Sequence, residues 1–345
     1  MSRGAAYMGS WQYPRRMRAQ QITELSGPAS ALTLGDVAEP DAAHMMTGTE
    51  GVVVDVHAAG VSFPEVLQTR GEYQVKPPLP FVPGSEVAGV VRSAPEGAGV
   101  APGDRVAAFC MLGGFAEVAV APEFLTFALP DALDFAQGAG LILNYHTAYF
   151  ALVLRGRLEE GETVLVHGAA GGVGTASIQV AKGLGCRVFA VVSSDEKERV
   201  AREAGADEVL RSEGPWKDEA KEASGGGVDV VLDPVGGDRF TDSLRSLGEG
   251  GRAVVVGFTG GSIPEVRVNR LLLNNLDVVG AGWGAYVLAK PEVNREIGEG
   301  VLALAERGFV APIVGARFPL ERAAEALELI DGRGALGKVV LDVAP

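Results

Sequence analysis

Short apolar segments separated by turn residues dominate the first third of the chain. Four of them have the length and the β-branched content of strands, and they cover residues 52–61, 86–94, 105–110 and 115–121. Proline and glycine mark the turns between them, as in the PGDRV segment. Since no helical periodicity separates these strands, the pattern predicts a mostly β unit from about Met17 to Ala121. Residues 1–16 are expected to form a loose N-terminal extension.

The pattern changes at about Asp134. A helical stretch at 135–154 leads into an alternation of apolar strands and amphipathic helices. The predicted strands cover 163–168, 187–193, 207–211, 228–233, 251–257 and 276–283, and the predicted helices cover 173–184, 195–204 and 238–247. Such alternation is typical of a parallel sheet with helices on both faces, so the sequence predicts an α/β fold. Two more helices (292–307 and 319–331) and a last strand (338–343) complete the prediction.

The balance of charges argues against several kinds of partner. Lys and Arg number 30 and Asp and Glu 44, which gives a net charge of −14. Because so acidic a chain repels phosphate backbones and anionic lipids, we expect neither nucleic-acid nor membrane binding. Cys110 and Cys186 are isolated, which excludes a disulfide framework and favours a reducing compartment. With no apolar signal segment and no continuous apolar stretch of membrane-spanning length, a cytoplasmic protein is expected.

Glycine is the informative residue of the composition, because 48 of 345 residues are glycine, about twice the usual share. One glycine-rich segment lies between the strand TVLVHG and an apolar helix. It contains Ala170, Gly171, Gly172, Val173 and Gly174. Small residues let the backbone lie against a pyrophosphate, and the N–H groups and dipole of the helix hold the anion. The segment therefore predicts a dinucleotide site, with a purely structural turn as the alternative.

The end of the next strand bears on which dinucleotide binds. An acidic residue there would favour NAD, whereas this chain has Ser193 and Ser194, followed by Lys197. Two hydroxyl groups and an ammonium suit a 2′-phosphate, to which Arg211 could add charge, so NADPH is predicted. The alternative is that Ser193 or Ser194 caps the helix, with Asp195 and Glu196 in its first turn, where acidic side chains interact favourably with the helix dipole.

Several segments, in the same order, resemble the medium-chain dehydrogenases/reductases. They are GVSFPEVLQTRGEY, LPFVPGSEVAGVV, PGDRV, AAGGVG and GALGKVVL. The chain is most similar to the zinc-independent NADPH:quinone oxidoreductase branch, the zeta-crystallin-like proteins, over residues 17–343. The resemblance implies a Rossmann dinucleotide-binding domain at 141–284, inserted into a GroES-like β-rich substrate domain made of 17–140 and 285–345. It also implies an active site in the cleft between the two domains, and a homodimer formed through the Rossmann sheet edge near 276–283.

The ligands of a zinc site are missing from this sequence. Zinc-containing relatives have a cysteine where this chain has Ser62, and Gly-His-Glu where it has Gly84-Ser85-Glu86. Two cysteines cannot build a structural four-cysteine site. We therefore expect no bound metal. Without a metal to act as Lewis acid, alcohol oxidation is disfavoured, and reduction of a quinone or an electron-poor alkene is favoured.

The resemblance also suggests site residues. Tyr73 matches a family tyrosine near the substrate, and Ser62 stands where many relatives have an asparagine. Asn144 is a candidate for substrate contact. Candidates for cofactor contact are Thr147, Val235, Val256, Gly257, Phe258 and Arg333, in addition to the glycine-rich segment. Lys338 resembles part of the family's C-terminal segment close to the cofactor. The predicted reaction is hydride transfer from NADPH to a quinone. The alternatives are an enoyl or 2-alkenal reductase, and a protein that binds NADPH without turnover.

Overall fold

The computed structural model describes residues 15–45 and 47–344. The strands are β1 (Arg16–Ile22), β2 (Leu32–Ala38), β3 (Val52–Val61), β4 (Glu86–Ser93), β5 (Arg105–Phe109), β6 (Val118–Ala121), β7 (Thr126–Ala128), β8 (Thr163–Val166), β9 (Arg187–Val192), β10 (Glu208–Arg211), β11 (Val228–Asp233), β12 (Leu247–Val255), β13 (Asp277–Gly280), β14 (Val314–Pro319) and β15 (Lys338–Asp342). The α-helices are α1 (Phe63–Thr69), α2 (Phe135–Gly138), α3 (Thr147–Tyr149), α4 (Gly172–Gly183), α5 (Asp195–Glu203), α6 (Trp216–Ala223), α7 (Phe240–Ser246), α8 (Asn269–Asn274), α9 (Trp283–Ala289), α10 (Pro291–Glu306) and α11 (Ala323–Asp331).

Six strands form a parallel sheet in the order β10-β9-β8-β11-β12-β13. Chain order reverses between β8 and β11, so a crevice opens at the carboxyl ends of these two strands. Along β8, Val164 and Val166 pack into one apolar cluster and Leu165 into another, and all three are fully buried. Both faces of the sheet are therefore covered, which confirms the predicted doubly wound α/β fold.

A second, mixed sheet has seven strands. Its main path is β14-β15-β3-β4-β5-β7, and β6 also pairs with β3. Strands β14 and β15 come from the end of the chain, yet β15 pairs antiparallel with β3 near the beginning. The parallel sheet is thus inserted between two parts of one β-rich unit, as predicted. Strands β1 and β2 form a separate antiparallel pair.

Several predicted boundaries differ from the structure. Helix α1 interrupts the region predicted to contain strands alone. The strand predicted at 276–283 ends at Gly280, and Trp283 begins helix α9 with its side chain buried in the core. Strand β14 was missed, because its sequence VGARFP includes a glycine and a proline, which are depleted in strands. The predicted extension 1–16 lies outside the described residues except for its last two, and Arg16 already belongs to β1.

The helix predicted at 135–154 is divided. Helix α2 ends at Gly138, and the chain resumes as π turns on either side of α3, at Ile142–His146 and Phe150–Arg155. Glycines 138 and 140 are poor helix formers, which explains the break. A Cβ atom on Gly140 would lie 3.0 Å from Cγ of Lys338, so the break also admits that side chain. Among the described helices, none is both long and apolar enough to cross a membrane.

Candidate active site

The glycine-rich loop between β8 and α4 is shaped by close backbone contacts. Gly168 has a φ of +58°, in the left-handed region that favours glycine. A Cβ atom on Gly174 would lie 2.2 Å from the carbonyl oxygen of Gly168, so a larger residue would push the helix away from the loop. Residues 168–174 therefore form the tight strand-to-helix turn that a dinucleotide-binding loop requires.

The first turn of α4 offers hydrogen-bond donors to an anion. Gly171 is the N-cap residue and no side chain caps the helix. Gly172, Val173 and Gly174 occupy the first turn, where an α-helix leaves its N–H groups without intrahelical partners. These donors, together with the positive end of the helix dipole, fit a pyrophosphate.

The loop after β11 lies against the glycine-rich loop. Asp233 ends the strand, and its Oδ1 accepts hydrogen bonds from the N–H groups of Val235 at 2.8 Å and Gly236 at 2.9 Å. A Cβ atom on Gly168 would lie 3.3 Å from Cγ2 of Val235, so these two residues are neighbours. The Asp233 carboxylate thereby holds Val235 at the crevice.

Val256, Gly257 and Phe258 follow the end of β12 at the same sheet edge. The N–H of Val256 donates to the carbonyl oxygen of Asp233 at 2.9 Å, which fixes this loop beside the previous one. Phe258 is 39% exposed and lies beside Gly236. The predicted strand-end residues are therefore gathered along one edge of the crevice.

Lys197 joins three segments at the end of β9. Its Nζ donates to Oγ of Ser193 at 3.2 Å and to the carbonyl oxygen of Arg333 at 3.0 Å. The Arg333 guanidinium donates to the carbonyl oxygens of Thr259 at 3.3 Å and Gly260 at 3.4 Å. Two cations and an exposed hydroxyl group thus lie together at this end of the crevice, which suits a phosphate group.

Ser194 and Arg211 have structural partners of their own. The Ser194 side chain accepts a hydrogen bond from the N–H of Lys197 and caps α5, as the alternative interpretation of this segment predicted. Arg211 forms ion pairs with Asp195 and Glu198, each at 2.5 Å. Because two carboxylates already face this guanidinium, its contact with a cofactor phosphate stays a prediction that no contact in the structure supports.

A buried network of charged and hydroxyl groups lies in the β-rich unit and adjoins the glycine-rich loop through the hydrogen bond from Gly337 to Ala170. Lys338 donates to a carboxylate oxygen of Glu86 and, at 2.7 Å, to Oγ of Ser62. Glu65 accepts from Oγ of Ser85 and, at 2.9 Å, from the N–H of Ser62. Ser62 is partly exposed, while the other four are buried, with Lys338 3% and Glu86 1% exposed. Ser62 is therefore the member of the network that reaches the surface.

Burial sets the protonation tendencies of the acidic groups. Burial raises the pKa of Glu86, and the Lys338 ammonium and the hydrogen bond from the Leu143 N–H partly offset that rise. Burial also raises the pKa of Glu65, and the hydrogen bond from Ser85 partly offsets that rise. Burial first and the Glu65 carboxylate second raise the pKa of the Tyr73 phenol. Tyr73 is therefore a neutral hydrogen-bond donor near neutral pH.

Asn144 links the network to the glycine-rich loop. It is buried, and a Cβ atom on Gly172 would lie 2.6 Å from its Nδ2. The preceding residue, Leu143, donates its N–H to Oε2 of Glu86 at 3.0 Å. Thr147 is also buried, and its N–H donates to the carbonyl oxygen of Asn144. The predicted residue Asn144 thus lies between the two halves of the site, and Thr147 follows it in the next helical turn.

The sequence did not reveal the roles of Glu65, Glu86 and Lys338 in this network. Each is a charged residue in an apolar setting, Glu86 at the start of EVAGVV and Lys338 at the start of KVVLDV. That pattern could have indicated buried charges with partners, because charged residues are almost never fully buried unless they are paired. Their pairing across 252 residues could not be deduced from spacing.

No group of three or more His, Cys, Asp and Glu side chains within 15–45 and 47–344 is arranged to hold a metal ion. At the two positions compared above with zinc ligands, this chain has the hydroxyl groups of Ser62 and Ser85, and Lys338 donates to the first of them.

Comparisons with known proteins agree with this architecture. Residues 48–131 match the alcohol dehydrogenase GroES-like domain, and residues 172–299 match the zinc-binding dehydrogenase family. The chain is 40% identical over 335 residues to quinone oxidoreductase-like protein 2 of Rattus norvegicus, covering 95% of this chain and 93% of the relative.

Solved structures are similar over almost the whole chain. A probable oxidoreductase from Mycobacterium abscessus is 45% identical with a TM-score of 0.86, covering 96% of this chain and 100% of that one. The quinone oxidoreductase of Thermus thermophilus, solved alone and with NADPH, is 34% identical with a TM-score of 0.78, covering 95% and 100%. The geometry of the glycine-rich loop and these similarities lead to one conclusion: the chain belongs to the medium-chain dehydrogenase/reductase superfamily of oxidoreductases, in its quinone oxidoreductase branch.

Proposed function

We propose that this protein is an NADPH-dependent oxidoreductase that reduces a quinone without zinc. One observation carries the proposal: the glycine-rich loop and the buried Lys338 network are in direct contact. The N–H of Gly337 donates to the carbonyl oxygen of Ala170 at 2.7 Å, and the next residue, Lys338, donates to Ser62. A dinucleotide held by the loop would therefore lie beside hydroxyl donors. The relatives named as quinone oxidoreductases support this proposal.

NADPH, when bound, supplies a hydride, and the protein binds and orients both reactants. The N–H groups of 172–174 would hold the pyrophosphate, and Lys197 with Ser193 the 2′-phosphate. Ser62 and Tyr73 offer hydroxyl groups to the substrate oxygen on which negative charge develops. A quinone is already electron-poor, so uncharged donors are sufficient for its reduction and a metal is not required.

Steady-state turnover tests this function against its alternatives. NADPH oxidation would be followed with 1,4-benzoquinone, 9,10-phenanthrenequinone, crotonyl-CoA and 2-hexenal, with the rate lacking acceptor subtracted. Preference for the quinones is expected. Preference for crotonyl-CoA or 2-hexenal would instead identify an enoyl or 2-alkenal reductase. Tight NADPH binding with no turnover of any acceptor would identify a non-catalytic binding protein.

Selectivity for the phosphorylated cofactor is expected to depend on Lys197. Lys197→Ala should weaken NADPH binding by about 10-fold or more and NADH binding by less than about twofold, because only NADPH carries the 2′-phosphate. Dissociation constants for both cofactors, from quenching of protein fluorescence, would give the ratio. Arg199→Ala is the matched control, since Arg199 is an exposed cation two positions along α5, on a different face. Equal weakening of both cofactors by Lys197→Ala would contradict the assignment.

We also propose that the protein is a homodimer. Strand β13 is an edge strand of the parallel sheet, and an exposed edge is a template for pairing with another chain. Apolar side chains are exposed in the segment that leads to it: Ile263, Val268, Leu272 and Leu273 are each between 72% and 78% exposed. A second copy pairing edge to edge near 276–283 would cover them.

Charge placed on this apolar surface is expected to separate the dimer. Leu272→Glu with Leu273→Glu should convert a dimer into a monomer, because two buried carboxylates would lack partners. Light scattering coupled to size-exclusion chromatography measures the mass directly. Leu25→Glu is the control, since Leu25 is 53% exposed but lies in the β-rich part. A wild-type monomer, or an unchanged mass for the double variant, would rule out this interface.

The division into domains is proposed on the same basis. Strands β1–β7, β14 and β15 fall within 17–140 and 285–345, apart from Arg16 of β1, and β8–β13 within 141–284. Among the described residues, each of these two larger sheets therefore lies within a single proposed domain.

A further inference from the structure

The Ser62 hydroxyl has one hydrogen that the structure leaves available. An ammonium can only donate, so in the 2.7 Å contact with Lys338 the Ser62 oxygen is the acceptor. Among the side-chain hydrogen bonds of the described residues, none has Ser62 Oγ as donor. The hydroxyl hydrogen can therefore donate to a group outside the network. Ser62 is also the partly exposed member, so such a group would lie in the cleft.

The ammonium behind Ser62 is held firmly in place. Glu86 accepts from Lys338, and the second oxygen of Glu86 is fixed by the Leu143 N–H at 3.0 Å. The Glu65 carboxylate accepts a hydrogen bond from the Ser62 N–H at 2.9 Å, which fixes the Ser62 backbone. Neither carboxyl group reaches the surface to deliver a proton there, because Glu65 is 0% and Glu86 1% exposed. The network thus orients one N–H of Lys338 onto one oxygen.

The position of this pair relative to the cofactor loop follows from the backbone. Gly337, directly before Lys338, forms a bridge with Gly171 and donates its N–H to Ala170. Lys338 is therefore anchored to the loop that would hold the dinucleotide. Tyr73 is a second candidate hydroxyl donor, and burial and the Glu65 carboxylate raise the pKa of its phenol.

We infer that Ser62 and Lys338 deliver the proton of the reaction to the substrate oxygen, an inference that rests on the proposed function. The substrate receives two electrons and one hydrogen nucleus as hydride, and its oxygen becomes an oxyanion. The Ser62 O–H bond breaks and a product O–H bond forms, while Lys338 transfers an N–H proton to the Ser62 oxygen. Lysine is left as the neutral amine, and water entering after product release restores its proton through Ser62. One proton is consumed per hydride.

The first test measures proton donation without turnover. The probe is 4-nitrophenol, which resembles a singly ionised hydroquinone and absorbs visible light only as the phenolate. Bound to the protein with NADP⁺, it is expected to ionise about one pH unit lower than in water, because the Ser62 hydroxyl and the ammonium behind it favour its charged form. The shift should vanish in Ser62→Ala, and in Lys338→Met combined with Glu86→Gln, which removes both buried charges together. No binding, or binding without a shift, overturns the inference.

The second test uses turnover with the best acceptor. Ser62→Ala should lower kcat by about 100-fold, in the range of a lost general acid, with the NADPH dissociation constant changed less than about twofold. Ser62→Thr, which keeps the hydroxyl group, should lose less than about fivefold. Combining Ser62→Ala with Lys338→Met and Glu86→Gln should be no worse than Ser62→Ala alone, since Lys338 acts through Ser62. Additive losses, or a Ser62→Ala enzyme within threefold of wild type, would overturn the inference. A wild-type protein inert toward every acceptor would instead refute the proposed function, and the 4-nitrophenol result would still decide this inference.

Discussion

Gly171→Ala is expected to weaken NADPH binding by about 30- to 100-fold, the effect of forcing one methyl group into a closely packed contact. The protein itself has room for this methyl group. A Cβ atom on Gly171 would meet only the carbonyl oxygen of Gly168, at an ordinary 3.5 Å, and its φ of −85° suits any residue. If the loop holds the pyrophosphate as proposed, the methyl group would collide with that ligand in front of the helix N-terminus. The midpoint of thermal unfolding without cofactor should therefore stay within about 2 °C of wild type.

Gly174→Ala is the matched variant with the opposite profile. Its Cβ atom would lie 2.2 Å from the Gly168 oxygen and 2.7 Å from Cα of Ala169, so α4 must shift away from β8. A loss of about 1–3 kcal/mol in the free energy of unfolding is expected from this overpacking, with or without cofactor. Fluorescence titration and urea unfolding of both variants separate the two effects. If Gly171→Ala bound NADPH as tightly as wild type, the loop would not be the pyrophosphate site.

The glycine-rich loop could be predicted from sequence because its constraints are local. Gly168 has a left-handed backbone conformation, and Gly174 lies too close to the Gly168 carbonyl oxygen for any side chain. Both requirements are visible in the sequence as glycines at a fixed spacing after an apolar strand. The alternation of strands and helices that surrounds the loop is local in the same sense. For this reason the six strands of the parallel sheet and helices α4, α5 and α7 were predicted, with errors at their ends, whereas helices α6 and α8 were missed.

The buried network could not be predicted because its contacts are not local. Ser62 and Lys338 are 276 residues apart, and Glu86 and Lys338 are 252 apart. They meet only because β15 returns to pair with β3, a pairing that no sequence spacing announces. Arg211 shows the same limit from the other side. Its place at the end of β10 suggested a phosphate contact, which stays a prediction, but its ion pairs with Asp195 and Glu198 could not be deduced from spacing.

Lys338→Met alone is expected to destabilise the protein by about 3–5 kcal/mol, the usual cost of removing one partner from a buried ion pair. Methionine resembles the lysine stem in size, so little packing is lost. The cost arises from Glu86, which is 1% exposed and would keep only the Leu143 N–H as a partner. Lys338→Met combined with Glu86→Gln leaves no buried charge in this pair, so it should recover most of the loss. Urea unfolding of wild type and both variants at pH 8, where the unfolded Glu86 is ionised, gives these differences.

The dependence on pH provides the sharper test of the same variant. Burial raises the pKa of Glu86, and the ammonium of Lys338 is the largest influence that opposes the rise. Without that ammonium the folded protein holds the Glu86 proton at higher pH than the unfolded chain does. The free energy of unfolding should then fall as pH increases from about 4.5 through the folded pKa, by up to about 1.4 kcal/mol per pH unit. Lys338→Met should thus be nearly as stable as wild type at pH 5 and much less stable at pH 8, and the double variant should track wild type at both. A deficit independent of pH would mean that lost packing, rather than an unpaired carboxylate, weakens the fold.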